Sequence, residues 1–154
     1  IDPELADMRL VCDRRQLSQA LTNIVKNSVE AIEARRGRGA VSPDGDRVML
    51  SITQASDELV VTISDNGVGL PEDRERLTEP YMTTRVRGTG LGLAIVKKIV
   101  EEHYGTIAFL DREGGGTRVR IAFDSIRLAD LATEAGKGLS GPHTRENREV
   151  ENGT

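Results

Sequence analysis

Gly88-Thr89-Gly90-Leu91-Gly92-Leu93, running straight into Ala94-Ile95-Val96-Lys97-Lys98-Ile99-Val100, decides how the rest of the chain is read. Three glycines at alternate positions let a backbone bend closely around a bound group and keep side chains out of the way. The residues that follow have helical spacing, with Leu91, Ile95, Lys98 and Ile99 on one side and Lys97, Glu101 and Glu102 outside. A helix begun by bare backbone N–H groups is an anion site, because unpaired donors and the helix dipole point the same way. A phosphate chain is the obvious anion. The same glycines also suit a plain flexible cap, and this stretch alone leaves both readings open.

On the N-terminal side, residues 5–12 read as a strand. Asp13 is placed to cap a long helix, with Gln16 completing a capping box. That helix runs to about Arg36, where Gly37 and Gly39 stop it. Leu17, Leu21, Ile24, Ser28 and Ile32 share one face, and Gln19, Asn23, Asn27 and Glu30 form a narrow polar stripe on another. After a polar loop over 37–47, the runs 48–53 and 59–64 predict an antiparallel hairpin turning near Ser56-Asp57-Glu58. A short helical turn is expected near 72–77, and 79–89 reads as a loop. Beyond the glycine-led helix, which ends at His103-Tyr104-Gly105, the runs 106–110 and 117–123 predict a second hairpin turning at Gly114-Gly115-Gly116. This order predicts an α+β two-layer sandwich: a mixed, mainly antiparallel sheet with helices on one face. The domain is expected over 1–126, followed by a polar tail over 127–154 that cannot repay its ordering entropy.

The 154 residues suit one domain, and 37% hydrophobic with 30% charged residues suits a globular one. A net charge of −4 argues against nucleic acid and anionic membrane surfaces, so a bound polyanion needs a local cluster of donors. Cys12 is the single cysteine, which excludes an internal disulfide or cysteine zinc site; in its apolar run it reads as a buried, inert thiol. No apolar run approaches ~20 residues, so no membrane span is expected, and no signal peptide is read.

Several residues have chemistry to offer. Asp65 closes a strand, and a carboxylate there can accept a hydrogen bond from an exocyclic amine such as that of adenine. Gly67 and Gly69 let backbone approach a flat ring, although Asn66-Gly67 also marks ordinary turns. Asn23 and Asn27 stand one turn apart in mid-helix, where asparagine is a poor helix former; an amide oxygen is a hard, neutral ligand that suits Mg²⁺. Thr83, Thr84, Arg85, Arg87 and Thr89 precede or join the glycines and can donate to phosphates. Thr117 opens the last strand, where it can reach a base edge, although strand propensity accounts for it equally well.

Taken in order, these segments resemble the ATP-binding catalytic domain of sensor histidine kinases, within the gyrase, Hsp90, histidine kinase and MutL superfamily and its Bergerat fold. The resemblance spans about residues 5–123. Its N box is similar to residues 23–31 (Asn-Ile-Val-Lys-Asn-Ser-Val-Glu-Ala), its G1 box to 65–69 (Asp-Asn-Gly-Val-Gly) and its G2 box to 88–93 (Gly-Thr-Gly-Leu-Gly-Leu). Residues 79–85 resemble the F-box region, and the nitrogen-regulation branch is the most similar.

The resemblance implies ATP and Mg²⁺ as cofactors. It implies Asn27 as the metal ligand with Asn23 in support, Asp65 on the adenine amine, Gly67 and Gly69 at the base, and Thr117 on Asp65 or its water. Gly88, Gly90, Leu91 and Gly92 would shape the lid and phosphate site, with Arg85 or Arg87 meeting the γ-phosphate. The partners implied are a dimerisation and phosphotransfer domain of the same full-length protein and an NtrX-like response regulator. The implied location is the cytoplasmic part of a membrane-anchored sensor. The acceptor histidine is not expected here: His103 precedes Tyr104 and His143 precedes Thr144, whereas the family's acceptor precedes an acidic residue. His103 reads instead as a dipole-stabilising cap. The alternatives are an ATPase of the same superfamily and a serine kinase of the anti-sigma-factor type. The ATPases carry a glutamate base one turn before the metal-binding asparagine, and here that place holds Asn23.

Overall fold

The computed structural model describes residues 12–79 and 91–130. Helix α1 (Arg14–Gly37) is followed by strands β1 (Val48–Ala55) and β2 (Glu58–Asp65) and a 3-10 turn (Glu75–Thr78). Then come helix α2 (Gly92–Glu102) and strands β3 (Gly105–Asp111) and β4 (Thr117–Asp124). Residues 125–130 are helical. The strand expected over 5–12 lies outside the described residues except for Cys12. So do the loop from residue 80 to 90 and the chain beyond 130.

The sheet order is β1-β2-β4-β3, with every neighbouring pair antiparallel. Side chains alternate across a strand. In β2 the odd-numbered Leu59, Val61, Ile63 and Asp65 therefore share a face, as do Thr117, Val119, Ile121 and Phe123 in β4. The apolar members of both sets join Ala20 and Ile24 of α1 and Val96, Ile99 and Val100 of α2 in one core cluster. Both helices thus cover one face of the sheet. Leu128, from the helical segment 125–130, is buried in the same cluster, so the boundary expected at 126 falls inside a segment that packs on the core.

Two expectations for the helices change. The buried residues of α2 are Val96, Ile99 and Val100, whereas Lys98 is exposed and lies 3.8 Å from Glu102 one turn on. Rotating the inner face onto the valines keeps the ammonium in water, since burying it there would be costly. At the start of α1, Asp13 does cap the helix: its Oδ1 accepts from the N–H groups of Arg15 (2.9 Å) and Gln16 (3.0 Å). Gln16 does not complete the box. The Asp13 N–H donates instead to Nε2 of His103, at 3.0 Å.

His103 is buried and caps the far end of α2. Its Nδ1 lies 2.7 Å from the carbonyl oxygen of Ile99. A ring whose Nε2 accepts and whose Nδ1 faces a carbonyl holds its proton on Nδ1 and is neutral, the tautomer being assigned from those partners. His103 therefore stands at the helix cap position expected of it, and its ring is also a hydrogen-bonding clip between the start of α1 and the end of α2. His103→Ala leaves the Asp13 N–H without its partner and takes one of two donors from the Ile99 carbonyl. It should lower unfolding stability by about 1–3 kcal/mol, measured by urea denaturation followed by circular dichroism.

Candidate functional site

Asp65 reaches the end of β2 on the core face, where the sheet runs out, and is 3% exposed. Its Oδ1 accepts from the Gly67 N–H at 2.8 Å and from the Thr117 N–H at 3.3 Å. The carboxylate is thus oriented by two backbone amides, one from the turn after β2 and one from the start of β4. Both bonds land on the same oxygen, and among the described residues none reaches Oδ2. Thr117 meets Asp65 directly, through its backbone amide.

Close backbone contacts surround this carboxylate. A Cβ on Gly67 would lie 2.6 Å from the carbonyl carbon and Cβ of Ala31, so α1 itself forbids a side chain there. The adjacent Val68 N–H donates to the Ala31 carbonyl oxygen at 3.1 Å. Gly116 has φ +101, and a Cβ on it would lie 2.0 Å from the Asp65 carbonyl oxygen. Gly69 faces Gly116 across the same junction. Sequence reasoning gave Gly116 only a turn role; its signal, a third glycine directly before Thr117, was present but is shared by any loose turn.

Asn27 stands one turn before Ala31 on α1, about 6 Å along the axis, and Asn23 one turn further. Both are half-buried, as is Glu30, while Gln19 is exposed. The clip at His103 sets the end of α2 beside the start of α1. The 11 residues of α2 span about 16 Å, and its first turn is the end away from His103. That first turn begins at Gly92 after Leu91, with no side-chain cap and no acidic residue. The structure brings Asp65, Gly67, Gly69 and Thr117 together against Ala31 of α1, with Asn27 one turn and Asn23 two turns before Ala31 on the same helix, while Leu91 and Gly92 open α2. Thr83, Thr84, Arg85, Arg87, Gly88, Thr89 and Gly90 lie outside the described residues.

These donors fit the nucleotide that the sequence implies. A buried carboxylate already held by two amides matches a neutral amine donor, and the amide stripe beside it suits a hard cation with phosphates. Residues 12–127 match a family described as histidine kinase-, DNA gyrase B-, and HSP90-like ATPase. The chain belongs to this family. Within it, the chain is 54% identical over 115 residues to the nitrogen regulation protein NtrY of Azorhizobium caulinodans, covering 71% of this chain and 14% of that protein. It is 40% identical over 114 residues to sporulation kinase E of Bacillus subtilis, covering 73% and 14%. The chain therefore spans about a seventh of the length of these two curated relatives. Among solved structures, the nucleotide-free catalytic domain of the histidine kinase ThkA is 28% identical, with TM-score 0.62 over 77% of this chain and 72% of that one. The mycobacterial sensor histidine kinase MprB is 29% identical, with TM-score 0.58 over 72% and 71%. The α+β sandwich expected from the sequence is the architecture of this histidine kinase-like ATPase domain.

Cys12 stands apart from the site and is partly exposed. Partial burial, and then the Asp13 carboxylate, push its thiol above the usual cysteine range. Less thiolate is present at a given pH, so iodoacetamide should alkylate Cys12 more slowly than free cysteine at pH 8. Asp13→Asn should speed it modestly, followed by mass spectrometry. Gly116→Ala forces a left-handed alanine against the Asp65 carbonyl. It should cost more than about 2 kcal/mol, read by thermal and urea unfolding.

Proposed function

We propose that this chain is the ATP-binding catalytic domain of a two-component sensor histidine kinase. In this reading it binds Mg²⁺-ATP and presents the terminal phosphate to a histidine on a separate dimerisation domain. The observation that carries the reading is Asp65, a buried strand-end carboxylate held at Oδ1 by the Gly67 and Thr117 amides. It is the acceptor for the adenine amine, with Gly67 and Gly69 shaping the base side. Asn27 holds the metal through its amide oxygen and Asn23 supports it. Thr83, Thr84, Arg85, Arg87, Gly88, Thr89, Gly90, Leu91 and Gly92 serve the phosphates. Bound Mg²⁺ would supply charge neutralisation at the phosphates, leaving the protein to position and to contribute further positive charge.

His103 is not the acceptor, because both ring nitrogens are engaged at helix ends. The chain by itself is therefore expected to bind ATP without phosphorylating itself. The relatives named for nitrogen regulation support an NtrX-like response regulator downstream and a place on the cytoplasmic side of a sensor. The ATPase reading is disfavoured by Asn23, an amide that cannot take a proton from water.

Calorimetric titration of Mg²⁺-ATP into the chain should show binding. Asp65→Ala should weaken it by about 1.5–3 kcal/mol through loss of a hydrogen bond to a charged group. Asn27→Ala should weaken it and remove most of its Mg²⁺ dependence. With labelled ATP and a separately purified dimerisation domain, label should appear on histidine. Label on serine, or steady phosphate release by the chain alone, would replace this reading with one of the alternatives.

A further inference from the structure

We propose that Arg35 is a positioning residue for Asp65, acting through the Asn66–Gly67 peptide, and so sets part of the affinity for the nucleotide base. The proposal rests on the reading of Asp65 as the base acceptor.

Arg35 lies in the last turn of α1, and its side chain is 12% exposed. Nη1 donates to the Asn66 carbonyl oxygen, and Nη2 pairs with Asp46 Oδ1 at 2.5 Å. The Asn66 carbonyl and the Gly67 N–H belong to one peptide plane. A cation at the carbonyl end fixes that plane and polarises it, which strengthens the N–H at the other end as a donor. That N–H is the shorter of the two amide bonds to Asp65 Oδ1, at 2.8 Å. The links therefore run without a break from the Asp46 carboxylate through the Arg35 guanidinium and the peptide to the Asp65 carboxylate.

Asn66 holds the same plane from its side chain. Nδ2 donates to Ser42 Oγ (3.0 Å) and to the Gly45 carbonyl (2.7 Å), and Oδ1 accepts from the Arg47 N–H (3.0 Å). These bonds fold the 42–47 loop that carries Asp46 to Arg35. Arg36 also reaches Asp46, through Oδ2 at 3.1 Å. Among the described residues the buried Nε of Arg35 has no hydrogen-bond partner. An apolar side chain of similar length would avoid that desolvation cost, so stability alone is a poor reason for arginine here. Fixing the donor that aims Asp65 is a better one.

The test uses Arg35→Met, Arg35→Lys and Asp46→Asn, with Asp65→Ala as reference. The readouts are calorimetric affinities for Mg²⁺-ATP, Mg²⁺-ADP and Mg²⁺-tripolyphosphate, and the amide proton shift of Gly67 by NMR. Arg35→Met should weaken ATP and ADP by the same factor, about fivefold to twentyfold, leave tripolyphosphate unchanged and move the Gly67 amide proton upfield. Arg35→Lys, which keeps the charge but not the fork, should recover part of both effects. Should Arg35→Met fail to fold, Asp46→Asn decides, with the same pattern in smaller measure. Unchanged ATP affinity and an unmoved Gly67 amide, while Asp65→Ala does weaken ATP, would overturn the role of Arg35 and leave the pocket standing. Equal loss of tripolyphosphate binding would overturn it too, marking Arg35 as a general structural tie. If Asp65→Ala itself leaves ATP affinity unchanged, the pocket reading fails and takes this proposal with it.

Discussion

Backbone meets backbone where β2 runs out against α1, and the candidate site depends on that close approach. Ala31 of the helix, Gly67 of the turn after β2, and Gly116 before β4 crowd around the Asp65 peptide so tightly that a Cβ on either glycine would overlap a neighbour. Such a junction has two effects. It brings amides from two separate segments to one carboxylate oxygen. It also makes the floor of the site out of main chain, whose hydrogen-bonding groups cannot change rotamer. Groups held this way lose little freedom when a ligand arrives, which is what preorganisation means in energetic terms.

The periodicities of strand and helix then place the remaining parts. Asp65 shares the parity of Leu59, Val61 and Ile63, so it stays on the helix-covered face as the strand ends. A carboxylate one position earlier would point through the sheet to the opposite side. On α1, Ala20, Ile24, Ser28 and Ile32 form the buried stripe. The asparagines sit at its border, half-buried, on the flank of the helix that reaches the Gly67–Val68 turn at Ala31. One helix register therefore serves both core packing and the amide stripe.

Much of this was legible in the sequence because it is local. The cap at Asp13, the length of α1, the two hairpins and the start of α2 at a glycine all follow from spacing within a few residues. The long-range contacts were not legible. The Asp13 N–H finds His103 across 90 positions, so Gln16 was the only partner visible nearby. Asn66 looked like half of an Asn-Gly turn, yet its side chain is consumed by Ser42, Gly45 and Arg47, 19 to 24 residues away. The helix end at His103-Tyr104-Gly105 was legible, but not that Tyr104 takes the left-handed conformation there (φ +55). Gly105 is packed where a Cβ would lie 2.8 Å from the Phe123 ring. Lys98 misled because periodicity alone cannot choose between two adjacent stripes of a short helix; the cost of burying an ammonium chose it.

These distant contacts share a logic, which is to hold α1 still. Asparagine in mid-helix is costly relative to alanine, by roughly half a kcal/mol per residue, so a helix carrying Asn23 and Asn27 draws its order from elsewhere. The N-terminal end is held by the Asp13 cap and the His103 clip, and the C-terminal end by Arg35 and Arg36 on Asp46. Between them the Val68 amide grips the Ala31 carbonyl. Since side chains on a helix move with its backbone, fixing these three points also fixes the amide stripe relative to Asp65. The distance between Asn27 and Asp65 is thereby set by the fold itself.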